Sequence, residues 1–227
     1  MKKLFVLILL LAGLTLVSGF VLSDQPLKNL KDYLLSLVYP ESLSPEILRS
    51  KYGREPIRIL LVPGHDKEFP GAAFAGVREE ELNLLLAREL FKFLSGDSRF
   101  AVLAARDLES GEYSLELAGY FASQGREIEE FKTNLRQKFL AFLEGGELQR
   151  QSAPPHHNFA RPEVALRLYG INKWANEQKI DIVFHIHFND APGRRRNRAG
   201  RYSGLAIYIP ERQYPNARAS ASLGQVL

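Results

Sequence analysis

Two predominantly apolar runs constrain this chain more than any other feature. They are Ile57 to Val62 (IRILLV) and Asp181 to Phe188 (DIVFHIHF), each of strand length and each meeting histidine at its end. Strands with one face in water alternate apolar and polar residues, whereas a continuous run suits a strand covered by helices on both faces. Between the runs, Glu79 to Leu94 sets Leu82, Leu85, Leu86, Leu90 and Phe93 at the spacing of one helix face. FAVLAA (100–105) reads as another strand, about Glu163 to Gln178 as another helix, and GLAIYIP (204–210) as a fourth strand. Strands alternating with helices predict an α/β domain with a mostly parallel or mixed sheet flanked by helices.

The N-terminus reads differently. Lys2 and Lys3 precede an uncharged apolar stretch from Leu4 to Leu22, with Ser18, Gly19 and Ser23 near its end. A short basic head, an apolar middle and small residues form the plan of a secretory signal. The stretch also approaches the roughly 20 residues that a membrane-spanning helix needs. Residues 1–23 are therefore expected to be a signal peptide or a membrane anchor. Either one is expected to place the remainder outside the cytoplasmic membrane, secreted or anchored to it. Residues 24–56 form a helical lead-in, with Leu27, Leu30, Leu34 and Leu35 at helical spacing before Pro40, Pro45 and Pro56. The α/β domain is expected over 57–227, with a helical insertion at about 107–160. Within it Ile128, Phe131, Leu135, Phe139 and Phe142 mark an amphipathic helix ending at Gly145-Gly146.

Composition narrows the chemistry. The chain has no cysteine, which excludes disulfides, thiolate nucleophiles and Cys-ligated metals. Any metal must sit on His, Asp or Glu. The net charge is +4, half of it from Lys2 and Lys3, too mild to suggest a nucleic-acid partner.

The first apolar run leads into VPGHD, which places His65 in a turn past the strand's carboxyl end. The second contains HIHFND, with His185 and His187 on one face, because side chains alternate along a strand. Sites in open α/β sheets gather beyond the carboxyl ends of the strands. Glu79 opens the intervening helix and points toward the same rim. Two imidazoles and a carboxylate form a catalytic zinc set that leaves a fourth position for water. Each residue also has a plainer reading. His65 follows Pro-Gly as turn residues do, Glu79 suits a helix N-terminus, and His185 and His187 suit a strand core.

ILLVPGHDKEFPGA, EEELNLLLARELFKFL, and DIVFHIHFND followed by SGLAIYIP together resemble the zinc-dependent N-acetylmuramoyl-L-alanine amidases. That family shows a strand ending in D-P-G-H-G-G, a Glu before a V-N-L helix, then S-I-H-A-N and a further strand reading G-V-x-x-Y. The similarity runs from about Ile57 to the end, interrupted by residues 107–160. It implies zinc ligands at His65, Glu79 (four residues before Asn83-Leu84) and His187, with Asn189 matching the family Asn. It further implies cleavage of the amide between the muramoyl lactyl group and L-alanine in peptidoglycan.

Several departures stand out. Asp66-Lys67 replaces the glycine pair, and S-I-H-A-N has become H-I-H-F-N, so that His185 adds a polar contact or competes for metal. Phe188, in place of a small residue, narrows the cleft. The family's catalytic Glu, in a strand reading L-x-E-x-G-F-x-S-N, has no match after Gly204. The expectation is that it lies beyond Leu227 and that hydrolysis by these 227 residues is weak. Glu211 follows IYIP too soon to replace it. Arg194, Arg195 and Arg196 head an arginine-rich loop that is either a solvated face or a surface attracting stem-peptide carboxylates and anionic wall polymers. The 107–160 segment is a lid, a docking place for a protein regulator, or an idle insertion. Two other readings compete: a membrane-anchored wall-binding or regulatory module that kept the cleft without catalysis, and another zinc peptidase on a similar scaffold.

Overall fold

The computed structural model describes residues 44–150, 160–188, 204–214 and 216–226. The signal or anchor segment, most of the lead-in, Asn189 and the arginine loop lie outside these residues. Among the described residues no helix is long and apolar enough to cross a membrane.

The elements run α1 (Pro45–Lys51), β1 (Ile57–Pro63), β2 (Ala73–Phe74), β3 (Val77–Arg78), α2 (Glu79–Ser95) and β4 (Phe100–Ala104). They continue with α3 (Leu115–Ser123), α4 (Gly125–Glu144), α5 (Pro162–Glu177), β5 (Ile182–Ile186) and α6 (Ala217–Gly224). Three strands form one parallel sheet in the order β4-β1-β5, with Ile59 opposite both Val102 and Ile182. The fold is α/β, as expected.

Burial explains the unbroken run of β1. Leu60 and Val62 face one core with Leu117, Ile171, Trp174 and Ala175 of α3 and α5. Ile57, Ile59 and Leu61 face a second core with Ala87 of α2 and Ile186 of β5. Leu60 and Leu61 are wholly buried. Each contributes about 1.5–3 kcal/mol of hydrophobic stabilisation at full burial. The lead-in's end joins the second core through Leu48, while Lys51 Nζ reaches Asp181 Oδ1 at 2.7 Å.

Two expectations need correction. The buried face of α2 is not the leucine-rich one: Glu79, Glu80, Asn83 and Ala87 are buried, while Leu85 and Phe93 are 53% and 79% exposed. The helix is rotated so that its first turns carry polar groups toward the carboxyl rim. Below them Ala87, Leu90 and Leu94 meet the sheet. The expected fourth strand also fails to form. Residues 204–210 pair with no strand among the described residues, and Ile207 and Ile209 lie against Gly224 of α6.

Part of the 107–160 segment belongs to the core layer. Leu117 of α3 and Ile128 of α4 are buried, and Gly170 of α5 allows Phe121 and Ile128 to approach closely.

Candidate metal centre

Strand order fixes where a site can form. From β1 the chain passes through α2 to β4 on one side, then through α3, α4 and α5 to β5 on the other. The connections diverge between β1 and β5. Such a switch point opens a crevice at the strands' carboxyl ends. His65 lies just past β1 and His187 just past β5.

The turn after β1 is tightly specified. His65 has φ of 63°, a left-handed conformation uncommon for a residue with a side chain. Asp66 N–H donates to the Phe69 carbonyl at 3.2 Å, and Phe69 N–H donates to Asp66 Oδ1 at 2.7 Å. His65 Nδ1 lies 3.1 Å from the same carbonyl. Donation from Nδ1 leaves the Nε2 lone pair facing the crevice, the arrangement by which an outer partner fixes a metal-binding histidine. Arg167 of α5 holds the turn from outside, reaching Asp66 at 2.8 Å and Glu68 at 2.9 Å.

Glu79 arrives through a feature absent from the sequence reading, the β2–β3 hairpin. Its central residues Ala75 and Gly76 both have positive φ, as the tightest hairpin turns require. The hairpin delivers Glu79 as the first residue of α2, with its N–H bonded to the Ala72 carbonyl at 2.8 Å. Glu79 Oε2 accepts from Ala72 N–H at 3.1 Å. Oε1 accepts from Phe188 N–H at 3.1 Å and faces His65 Nε2 at 3.2 Å and His187 Nδ1 at 3.3 Å.

The three residues named from the sequence therefore converge. One ligand atom from each of His65, Glu79 and His187 lies within 4.8 Å of the others, and the group could hold a metal ion. The two Glu79–imidazole separations, 3.2 and 3.3 Å, also match tetrahedral geometry. Neighbouring ligands of a tetrahedral ion with bonds near 2.0–2.1 Å stand about 3.3 Å apart. Without a cation, a proton between nitrogen and carboxylate satisfies the same spacing. Burial disfavours the Glu79 carboxylate, but hydrogen bonds from His187, His65 and Ala72 N–H outweigh it and hold its pKa well below the usual carboxylate range. The hydrogen bond to Glu79 raises the pKa of His65 despite partial burial.

Two glycines complete the cradle. A Cβ on Gly64 would lie 2.2 Å from His187 Cε1, and one on Gly71 would lie 2.7 Å from both Glu79 Oε2 and His65 Cδ2. Both glycines leave room for the ligands.

Other named residues fall elsewhere. His185 is outside the cluster. It is exposed on β5, and the protein around it with the neighbouring His187 lowers its pKa. Glu211 Oε2 accepts from Gln213 Nε2 at 2.7 Å, in a contact that also involves Gln149. Asn189, Arg194, Arg195 and Arg196 lie outside the described residues.

The sequence reading missed the groups beneath the site. Asn83, fully buried, donates through Nδ2 to the Gly64 carbonyl at 2.8 Å. Arg106, two residues past the end of β4, donates through Nη1 to the His65 carbonyl at 2.7 Å. Asn83 had one sequence signal, its fixed spacing from Glu79. Arg106 had only its position after a strand.

Compared with known proteins, the chain matches no family model and no curated protein.

Proposed function

We propose that this chain is a zinc-dependent hydrolase that cleaves the amide between N-acetylmuramic acid and L-alanine in peptidoglycan. The observation that carries the reading is the convergence of His65, Glu79 and His187, the residues that the amidase resemblance names as ligands. His65 Nε2, a Glu79 oxygen and a His187 ring nitrogen would hold the ion. Bound zinc lowers the pKa of a coordinated water to about 7 and polarises a carbonyl.

The chain's own residues supply the remainder. Glu79 stays ionised, fixed by Ala72 N–H and Phe188 N–H, and so presents charge without having to reorganise. The Phe69 carbonyl sets the His65 tautomer. Phe188, 43% exposed beside the ligands, offers an apolar wall at the cleft. Arg194, Arg195 and Arg196 attract carboxylates of the wall by charge. Residues 1–23 direct the protein outside the cytoplasmic membrane or contact that membrane, and the 107–160 segment offers a docking place for a protein regulator.

One observation favours a second reading. Among the described residues no carboxylate besides Glu79 joins the cluster. A wall-binding module that holds zinc and peptidoglycan without efficient cleavage fits that observation. The deciding experiment is release of L-alanine-linked peptides from purified muropeptides with zinc, after chelation, and with Glu79→Gln. Zinc-dependent release that Glu79→Gln abolishes supports the enzyme. Wall binding without release supports the module.

A further inference from the structure

Arg106 is 2% exposed, and it lies two residues past the end of β4. A guanidinium at that depth costs several kcal/mol unless its donors are matched, and apolar side chains fill such a space more cheaply. Its bonds show what it holds. Nε donates to the Gly111 carbonyl at 2.7 Å and Nη1 to the His65 carbonyl at 2.7 Å. Nη2 also donates to Gly111 and lies 3.6 Å from Glu80 Oε2. Glu80, itself 2% exposed, is the residue after Glu79, and its other oxygen meets Arg78 at 2.7 Å.

We propose that Arg106 is a positioning residue for the metal centre: one buried guanidinium locks the His65 turn to the start of α2 and so presets His65 Nε2 against Glu79. The proposal rests on the metal-binding reading. Its physical basis is the backbone of His65, whose left-handed φ of 63° requires support from its surroundings. The His65 carbonyl fixes the exit of the turn into Asp66, while Asn83 holds the Gly64 carbonyl on the entry side, so that the strained residue is clamped at both of its peptides. Arg106 grips that carbonyl while its Nη2 stands 3.6 Å from Glu80 Oε2, a buried oxygen without a hydrogen bond, so that its tie to the helix that carries Glu79 is one of charge. Lysine, with a single point of charge, cannot bind the Gly111 and His65 carbonyls in the same fixed fork.

The test uses the full chain and zinc or cobalt(II) alone. Zinc affinity is measured by competition with a chromophoric chelator, and cobalt geometry by visible absorption, for wild type, Arg106→Lys and Glu80→Gln. Metal-free thermal stability is recorded in parallel. Arg106→Lys is expected to weaken zinc by about 10–100-fold, the range for partners of ligands, and to weaken the tetrahedral cobalt bands. Glu80→Gln is expected to shift both in the same direction by less. Lower stability with wild-type affinity and an unchanged cobalt spectrum in the folded protein would make Arg106 merely structural and overturn the inference. If Arg106→Lys fails to fold, Glu80→Gln decides by the same two readouts. A wild-type chain that takes up neither ion overturns the metal reading, and this inference with it.

Discussion

The two strand ends that carry the histidines are built differently. Past β1, His65 is held from several directions: Arg106 at its carbonyl, Phe69 at its ring, Asn83 at the preceding carbonyl, and Arg167 on the following turn. Past β5, the described fastenings of His187 and Phe188 converge on Glu79, Gly64 and the His65 ring, which the His187 ring meets edge-on at 5.1 Å. Phe188 N–H and His187 Nδ1 both meet Glu79 Oε1, and the His187 ring lies over Gly64. One ligand is set by its own scaffold, and the other takes its position from the carboxylate between them. Glu79 is therefore both a ligand candidate and the brace of the less supported side.

The largest effect should come from removing that brace. Glu79→Ala should cost more in zinc affinity than the roughly 100-fold upper range for an outer partner, because it removes a ligand and a brace together. Hydrogen exchange on metal-free Glu79→Ala should speed at the Phe188 amide and leave the Asp66 amide protected. Equal loosening at both would break the comparison.

The glycine cradle separates the two sides by volume. Gly64→Ala should displace His187, while Gly71→Ala should strike Glu79 and His65 and add backbone strain at φ of 75°. Each should destabilise by about 1–3 kcal/mol, as overpacking does. Both should lower zinc affinity, and histidine NMR signals should report which ring moved.

A smaller effect concerns pH. The raised His65 pKa means that its pairing contributes stability fully present below its ordinary value of 6.5 and lost as pH rises through the raised value. Glu79 acts oppositely, contributing above its ordinary 4.5 and losing that contribution as pH falls through its lowered value. Zinc competes with the imidazole proton, so the rise in Tm on adding zinc should grow from about pH 5 to about pH 8. A flat or falling Tm difference would place the metal away from His65.

How much of this was legible follows from the range of each signal. The continuous run of β1, the period of α4 and the placement of His65 past a strand end depend on local pattern, and the structure has them; His187, read as part of the strand, lies just past β5. The α2 face was misread in part: of Leu82, Leu85, Leu86, Leu90 and Phe93, Leu90 packs on the second core, whereas Leu85, Leu86 and Phe93 are exposed and the site demanded buried Glu79, Glu80 and Asn83. GLAIYIP has strand-like residues, but it pairs with no described strand and leaves Ile207 and Ile209 more than 40% exposed, and β propensity acts only on a paired, half-buried surface. Arg106 joins residues 41 apart, and such a bond leaves no periodicity. The β2–β3 hairpin, with two-residue strands, is too short for alternation to show.

The smallest predicted effect lies outside the cradle. Replacing Arg194, Arg195 and Arg196 by Ser should weaken binding to purified wall fragments chiefly at low salt, as screened attraction does. Unchanged binding at low ionic strength would leave the loop a solvated face.

Anomalous diffraction at the zinc edge from zinc-loaded crystals tests the central claim most directly. The account predicts one peak bounded by His65 Nε2, a Glu79 oxygen and a His187 ring nitrogen, at about 2.0–2.2 Å from each. No peak between them, or a zinc ion held elsewhere with Glu79 apart from it, would contradict the account.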